Sequence, residues 1–131
     1  MTAAQIVNTM YSYLNTSALN TAANGDVYKH NERPLGSSKE DVVISILGAP
    51  NVQIQRALVN VNVWIPDKLV GGTYYPDHAR ITALSGTAWE VLKQHVGNGF
   101  HFSIDEQLIV RDKETNQYFI NNRVEFYAKN I

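Results

Sequence analysis

Four histidines, His30, His78, His95 and His101, are the side chains of this sequence best suited to bind a metal ion or to move a proton near neutral pH. A zinc site needs three or four ligands converging at fixed distance, and a sequence that builds one usually carries a short-spaced pair, such as two histidines on one helical face. No two of these histidines stand three or four residues apart. His95 falls on the apolar side of an expected helix, where a half-buried imidazole satisfied by its neighbours is the simpler reading. Asp112, Glu114 and Asn116 imitate the first ligands of a calcium loop, but the positions that require glycine and a bidentate glutamate are Gln117 and Arg123. That segment reads as a solvated hairpin tip.

Other chemistries find as little. There is no cysteine, which excludes a thiolate nucleophile, a disulfide framework and thiolate-ligated metal. No Gly-x-Gly-x-x-Gly follows a strand, and Gly36-Ser37-Ser38-Lys39 lacks both the preceding glycine and the following helix of a phosphate-binding loop. A serine nucleophile would want Gly-x-Ser-x-Gly at a strand-to-helix elbow, which the sequence does not contain. Asp105-Glu106 is a carboxylate pair of the kind any soluble chain carries. Tyr28, Lys29, His30 and Arg33 interleave aromatic and basic groups, as a stacking platform for single-stranded nucleic acid would. With Lys+Arg 11 against Asp+Glu 12 and a net charge of -1, phosphate neutralisation is a poor basis for function. The expectation is a protein that is not an enzyme, with no catalytic residue, no cofactor and no metal.

The elements that would position these residues follow from periodicity. Thr2 and Gln5 form a capping-box pattern, and Ile6, Met10, Tyr13 and Leu14 recur at helical spacing. The helix is expected to end within the polar stretch Asn15 to Ala23. Asp26 to Arg33, Val42 to Leu47 and Val52 to Ile65 read as strands, separated by a mobile loop over Leu35 to Asp41. In the third strand Val59, Val61, Val63 and Ile65 alternate with Asn60, Asn62 and Trp64, whereas Val52, Ile54 and Leu58 have the opposite parity. That phase switch implies a bulge near Arg56 to Leu58, or two halves that bury different faces. Asp67 to Pro76 reads as a loop. Asp77 caps a second helix in which Ile81, Leu84, Ala88, Val91, Leu92 and His95 keep step, with Gly97-Asn98-Gly99 as its stop. Phe100 to Ile104, Gln107 to Arg111 and Tyr118 to Ala128 complete the chain as strands, the last two flanking a hairpin loop. The order α-β-β-β-α-β-β(-β) predicts one α+β domain over residues 1–131, with two helices on one face of a mainly antiparallel sheet.

At 131 residues, 44% hydrophobic and 18% charged, the chain is long enough to bury a core and too apolar for wholesale disorder. Its N-terminus has neither the basic nor the apolar region of a secretory signal, and no apolar run approaches bilayer length. The expectation is a protein made and kept in a cytoplasm, without membrane association. Thirteen asparagines stand out, several on expected strands (Asn60, Asn62, Asn121 and Asn122), although asparagine is unfavourable there. With Trp64, Tyr74, Tyr75 and Tyr127 they describe a surface for protein contact; an exposed polar sheet face is the alternative.

The ordered features resemble a family. An amphipathic N-terminal helix leads to the short strand ending Glu32-Arg33-Pro34, then to the apolar strand Val42 to Leu47 and the long strand ending Val59-Asn60-Val61-Asn62-Val63-Trp64-Ile65. A helix from Asp77 to about His95 follows, then a hairpin and the strand at Arg123-Val124-Glu125-Phe126-Tyr127. This is similar, in element order over nearly the whole chain, to the tail terminator (tail completion) proteins of long-tailed bacteriophages and prophages, the lambda-like neck components. The resemblance implies a homo-oligomeric ring, commonly a hexamer, that caps the tail tube and joins tail to head. Its partners would be copies of itself, the tail tube protein and a head–tail connector protein, with DNA only passing through the lumen. It would assemble in the host cytoplasm and end in the virion tail. Leu35, Ser38, Lys39 and Asp41 in one loop and Lys68, Tyr74 and Tyr75 in another are the expected interface residues, with Trp64 and Tyr74 as aromatic anchors. The competing readings are another head–tail connector or neck protein, and a small ligand-binding α+β domain.

Overall fold

The computed structural model describes residues 1–47 and 55–129. In chain order its elements are α1 (Ala3–Asn15), α2 (Ala18–Ala22), β1 (Val27–Lys29), β2 (Val42–Leu47), β3 (Arg56–Pro66), β4 (Lys68–Val70), β5 (Thr73–Tyr75), α3 (His78–Leu92), β6 (Gln94–Val96), β7 (Phe100–Asp112) and β8 (Gln117–Ala128). Six strands form one sheet in the order β1-β2-β3-β8-β7-β6, and β4 and β5 make a separate two-stranded ribbon. The architecture is α+β, and every pairing in the large sheet is antiparallel except β1 with β2.

Local chemistry starts the first helix as its sequence predicts. Thr2 Oγ1 accepts the Gln5 N–H at 3.2 Å while Gln5 Oε1 accepts the Thr2 N–H at 2.8 Å, so two backbone donors without helical partners are satisfied reciprocally. Ile6, Met10 and Leu14 then turn to the core. At Ser17 the hydroxyl donates to the Leu14 carbonyl at 2.7 Å and the chain restarts as α2, which adds Leu19 to the core. The polar stretch thus interrupts the helix and starts another turn of it.

The helices cover one face of the sheet. α1 packs on β1 and β2, and α3 packs on β3, β7 and β8. Beneath them lie Val42 and Ile44, Val59, Val61, Val63 and Ile65, Ile120, Val124 and Phe126, and Phe102, all essentially excluded from water. Directly paired residues share a face, so the register leaves a second, uncovered face carrying Val43, Leu58, Asn60, Asn62, Trp64, Phe119, Asn121, Arg123, Glu125 and Tyr127.

Several sequence expectations change. β3 alternates without a break from Ala57, and both its ladders run in continuous register, so no bulge lies at Arg56 to Leu58. Val52 and Ile54, which suggested one, lie outside the described residues. The bulge sits instead in β7, between Ile104 and Glu106, where one extra residue joins the two expected strands Phe100 to Ile104 and Gln107 to Arg111 into one. β1 is only three residues long because Asn31 adopts φ 65° and the Glu32 N–H closes a turn on the Lys29 carbonyl. Asp67 to Pro76 is no simple loop: Gly71 and Gly72, at φ 57° and 80°, supply the two left-handed positions of a tight hairpin turn between β4 and β5. α3 ends at Leu92 rather than about His95. His95 pairs opposite Phe102 in β6, and its ring lies 4.4 Å from that of Tyr13 and 5.4 Å from that of Phe102, centre to centre. Gly97-Asn98-Gly99 accordingly turns β6 into β7, with the Gly97 N–H on the Phe100 carbonyl at 2.9 Å, and does not stop a helix.

Gly25 lies where the chain between α2 and β1 crosses the entry to β2. Its N–H donates to the Glu40 carbonyl at 3.0 Å, and a Cβ there would overlap both that carbonyl and the Asp41 carboxylate. Gly25→Ala is expected to lower stability by about 1–3 kcal/mol, the usual scale of overpacking. Gly86→Ala, on an open face of α3, should raise it by roughly 0.5–1 kcal/mol. Urea midpoints at unchanged slope measure both.

Candidate functional site

Three buried carboxylates organise one end of the sheet. Asp41, 1% exposed, accepts from Arg33 Nε at 2.8 Å and Ser37 Oγ at 2.6 Å through Oδ2, and from the Asp26 N–H at 3.1 Å through Oδ1. The neighbouring Glu40 takes Arg80 of α3 in a two-point contact at 2.7 Å on each oxygen, and also accepts the Asn24 N–H. Asp67, at the end of β3, holds Arg111 of β7 in the same manner at 2.6 and 2.8 Å. Taking such charges out of water is costly, and it is tolerated here because each carboxylate meets a guanidinium, in a two-point contact at Glu40 and Asp67, and Asp41 and Glu40 have further donors.

These pairs bring three segments together. Arg33 Nη2 donates to the Lys39 carbonyl and to Gln117 Oε1, each at 3.1 Å, so the 33–41 loop is fastened both to itself and to the start of β8. The Asp67 N–H donates to the Asn116 carbonyl at 3.0 Å, which ties the base of the β4–β5 hairpin to the β7–β8 turn. Between the segments lies a depression of about 440 Å³ whose wall includes Arg33, Leu35, Ser38, Trp64, Tyr74 and Gln117.

Of the expected interface residues, the fold therefore gathers Leu35, Ser38, Trp64 and Tyr74 around one concavity. Leu35 projects fully into solvent, and Lys39 is exposed beside it. Tyr74 and Tyr75 remain half exposed on the hairpin, with Lys68 exposed on its other strand. Asp41 belongs elsewhere: its carboxylate is spent on internal contacts and faces no solvent, so it acts as an anchor of the loop. Trp64 is only half free, since the Arg33 guanidinium lies 4.8 Å from its ring centre and the Phe119 ring 4.7 Å.

The amide surface also divides. Asn60, Asn62 and Asn121 lie on the uncovered face and bond one another, Asn121 Nδ2 donating to Asn62 Oδ1 at 2.7 Å. Asn122, one residue further along β8, points the opposite way and is buried. There it donates to the Val61 carbonyl at 3.0 Å and accepts from Gln107, which in turn reaches the Ser85 carbonyl of α3. Tyr28, Lys29 and Arg33 do not form a common platform either. Tyr28 pairs beside Val43 on the uncovered face, Lys29 reaches Asn8 of α1, and Arg33 turns inward to Asp41.

The histidines stand apart, with His30 and His78 exposed and His101 stacked on Tyr127 at 4.8 Å. Among the described residues no three His, Cys, Asp or Glu side chains are grouped to hold a metal ion. No helix among them is long and apolar enough to cross a membrane.

What the sequence did not reveal is the set of exposed apolar side chains on strands: Leu69 and Val70 in β4, Val96 in β6, and Leu108 and Ile109 in β7. Comparison of the chain with protein-family models and with curated proteins finds no match to either.

The Asp41 carboxyl is pushed up by burial, but the Ser37, Arg33 and Asp26 hydrogen bonds and the Arg33 charge outweigh that and hold it below its usual range. A depressed carboxyl stabilises the fold above its unfolded value, roughly pH 4, and the contribution is lost as pH falls through the lower folded value. Asp41→Ala should cost about 3–5 kcal/mol at neutral pH, as removing one partner of a buried pair does. Thermal melts from neutral pH down to about pH 3 should also show a shallower acid dependence for Asp41→Asn than for the unaltered chain.

Proposed function

We propose that this chain is a structural assembly subunit of a long-tailed phage or prophage, one that caps the tail tube as a homo-oligomeric ring and joins tail to head. The observation that carries the reading is the β4–β5 ribbon. It presents Leu69, Val70, Tyr74 and Tyr75, each at least half exposed, on two three-residue strands with Gly71-Gly72 at the tip. A two-stranded ribbon has little stability alone in water, and clustered apolar side chains on such an arm suit burial against another chain. The α+β class is the one that the resemblance implies. The rigid base supplied by Asp67 and Arg111 would hold the arm at a constant angle, as repeated contacts around a ring require.

The depression beside the arm supports a second reading, a small ligand-binding domain, because it sets Arg33, Trp64 and Tyr74 around a space of about 440 Å³. A neighbouring neck protein would make the same kind of contacts with a different partner. Light scattering on the purified chain, alone and with tail tube protein, separates these readings. A ring-sized mass, with capture of tube protein in preference to portal protein, is the expected outcome. A persistent monomer in both conditions overturns the proposal.

A further inference from the structure

Both ends of the six-stranded sheet are incompletely paired among the described residues. β1 covers β2 only at Val42, Val43 and Ile44, so Ser45 to Leu47 pair with β3 on one side alone. β6 covers β7 at His101, Phe102 and Ser103, and the Ile104 N–H donates to the Lys93 carbonyl at 3.4 Å, which leaves the stretch 105–112 paired with β8 alone. Each free stretch presents backbone donors and acceptors that can template another strand.

The two edges are complementary in direction, face and charge. β2 runs antiparallel to β3, β3 to β8 and β8 to β7, so β7 runs opposite to β2. If a second copy continues the sheet with the same face up, β7 of one copy meets β2 of the next in the antiparallel sense. On the helix-covered face, the free part of β2 borders an apolar groove of about 630 Å³, formed with Ala3, Ala4 and Val7 of α1 over Ile44 and Ile46. On that same face, β7 carries Ile109, which pairs opposite Ile120 and is 55% exposed. On the uncovered face, exposed Leu108 of β7 matches exposed Leu47 of β2. Lys29 and His30 line the groove, whereas the free stretch of β7 carries exposed Asp105 and Glu106 together with Asp112.

We propose that copies of this chain join edge to edge, the 105–112 stretch of one adding as an antiparallel strand beside 45–47 of the next and seating Ile109 in the groove under α1. The occupant of the groove is thus a second copy. The contact joins two different surfaces, so it repeats head to tail and closes into a ring when its rotation permits. This inference rests on the reading that the chain self-assembles, and it locates the contact that reading requires.

The chain has no cysteine, so Leu47→Cys and Leu108→Cys each introduce a single thiol at an exposed position. Treated with a short bis-maleimide, the two variants mixed should give a covalent dimer, each alone should stay uncrosslinked, and the double variant should give a ladder of oligomers. Ile109→Lys, with unchanged circular dichroism and melting temperature, should lose the assembled species in light scattering. If the unaltered chain assembles but the mixture does not cross-link, if Leu108→Cys links to itself, or if Ile109→Lys assembles normally, the edge contact is overturned and self-assembly stands. If the unaltered chain stays monomeric with and without tube protein, the assembly reading itself falls.

Discussion

The Asp41 carboxylate sits almost wholly out of water, and one end of the molecule is arranged to satisfy it. Arg33, Ser37 and the Asp26 N–H each spend a donor on it, and its own carbonyl accepts the Trp64 N–H at 2.8 Å. Those contacts set the start of β2 against β1 and β3 and stop the 33–41 loop from swinging. Arg33, held in this way, also lies against Trp64 and bonds Gln117, so the depression beside the hairpin inherits its shape from one buried charge. Glu40 with Arg80 and Asp67 with Arg111 repeat the device, tying α3 and the hairpin base to the same end. Asp41 and Glu40 each accept from a guanidinium and from further donors, and Asp67 takes Arg111 through both oxygens, which turns desolvation into geometric definition.

The sheet beyond that end treats its two faces differently. Under the helices it is rich in buried valine and isoleucine, and the buried amide of Asn122 reaches α3 through Gln107. The other face is half buried by its own side chains. Asn60, Asn62 and Asn121 satisfy one another there, while Glu125 takes Arg56 at 2.6 Å and the Tyr127 hydroxyl at 2.9 Å. Such a face is wettable without helices over it. Among strand residues, strongly apolar exposure is found instead on the hairpin and at the sheet edges, where backbone groups are unpaired as well.

That division suits the assembly role proposed above. Core packing makes the body rigid, the buried ion pairs hold the arm and loop at one end, and the incomplete strands at the two sheet ends supply direction. Short covering strands such as β1 and β6 block part of each edge, which limits how another chain can add and favours one register over the slippage that a long bare edge would allow.

Local chemistry in the sequence by itself determined a good deal: the capped start of α1, the Asp77 cap of α3, the alternation of β3 from Val59 to Ile65 and the α+β class all depend on residues within a few positions of one another. The expected loop over Leu35 to Asp41 was also found at the right place, whereas Asp67 to Pro76 folds as the β4–β5 hairpin, and four of the expected contact residues share one concavity. What tertiary structure decided were the questions with distant partners. α3 stops at Leu92 because His95 has Tyr13 and Phe102 to pack against and β7 to pair with. Asp41 is an anchor because Arg33 folds back on it, and Asn122 is buried because Gln107 and the Val61 carbonyl are there to receive it. Periodicity reports which side of an element is apolar, but not which partner will pay for desolvating a polar group on it. That partner lies far away in sequence, and only the folded chain brings it within hydrogen-bonding distance.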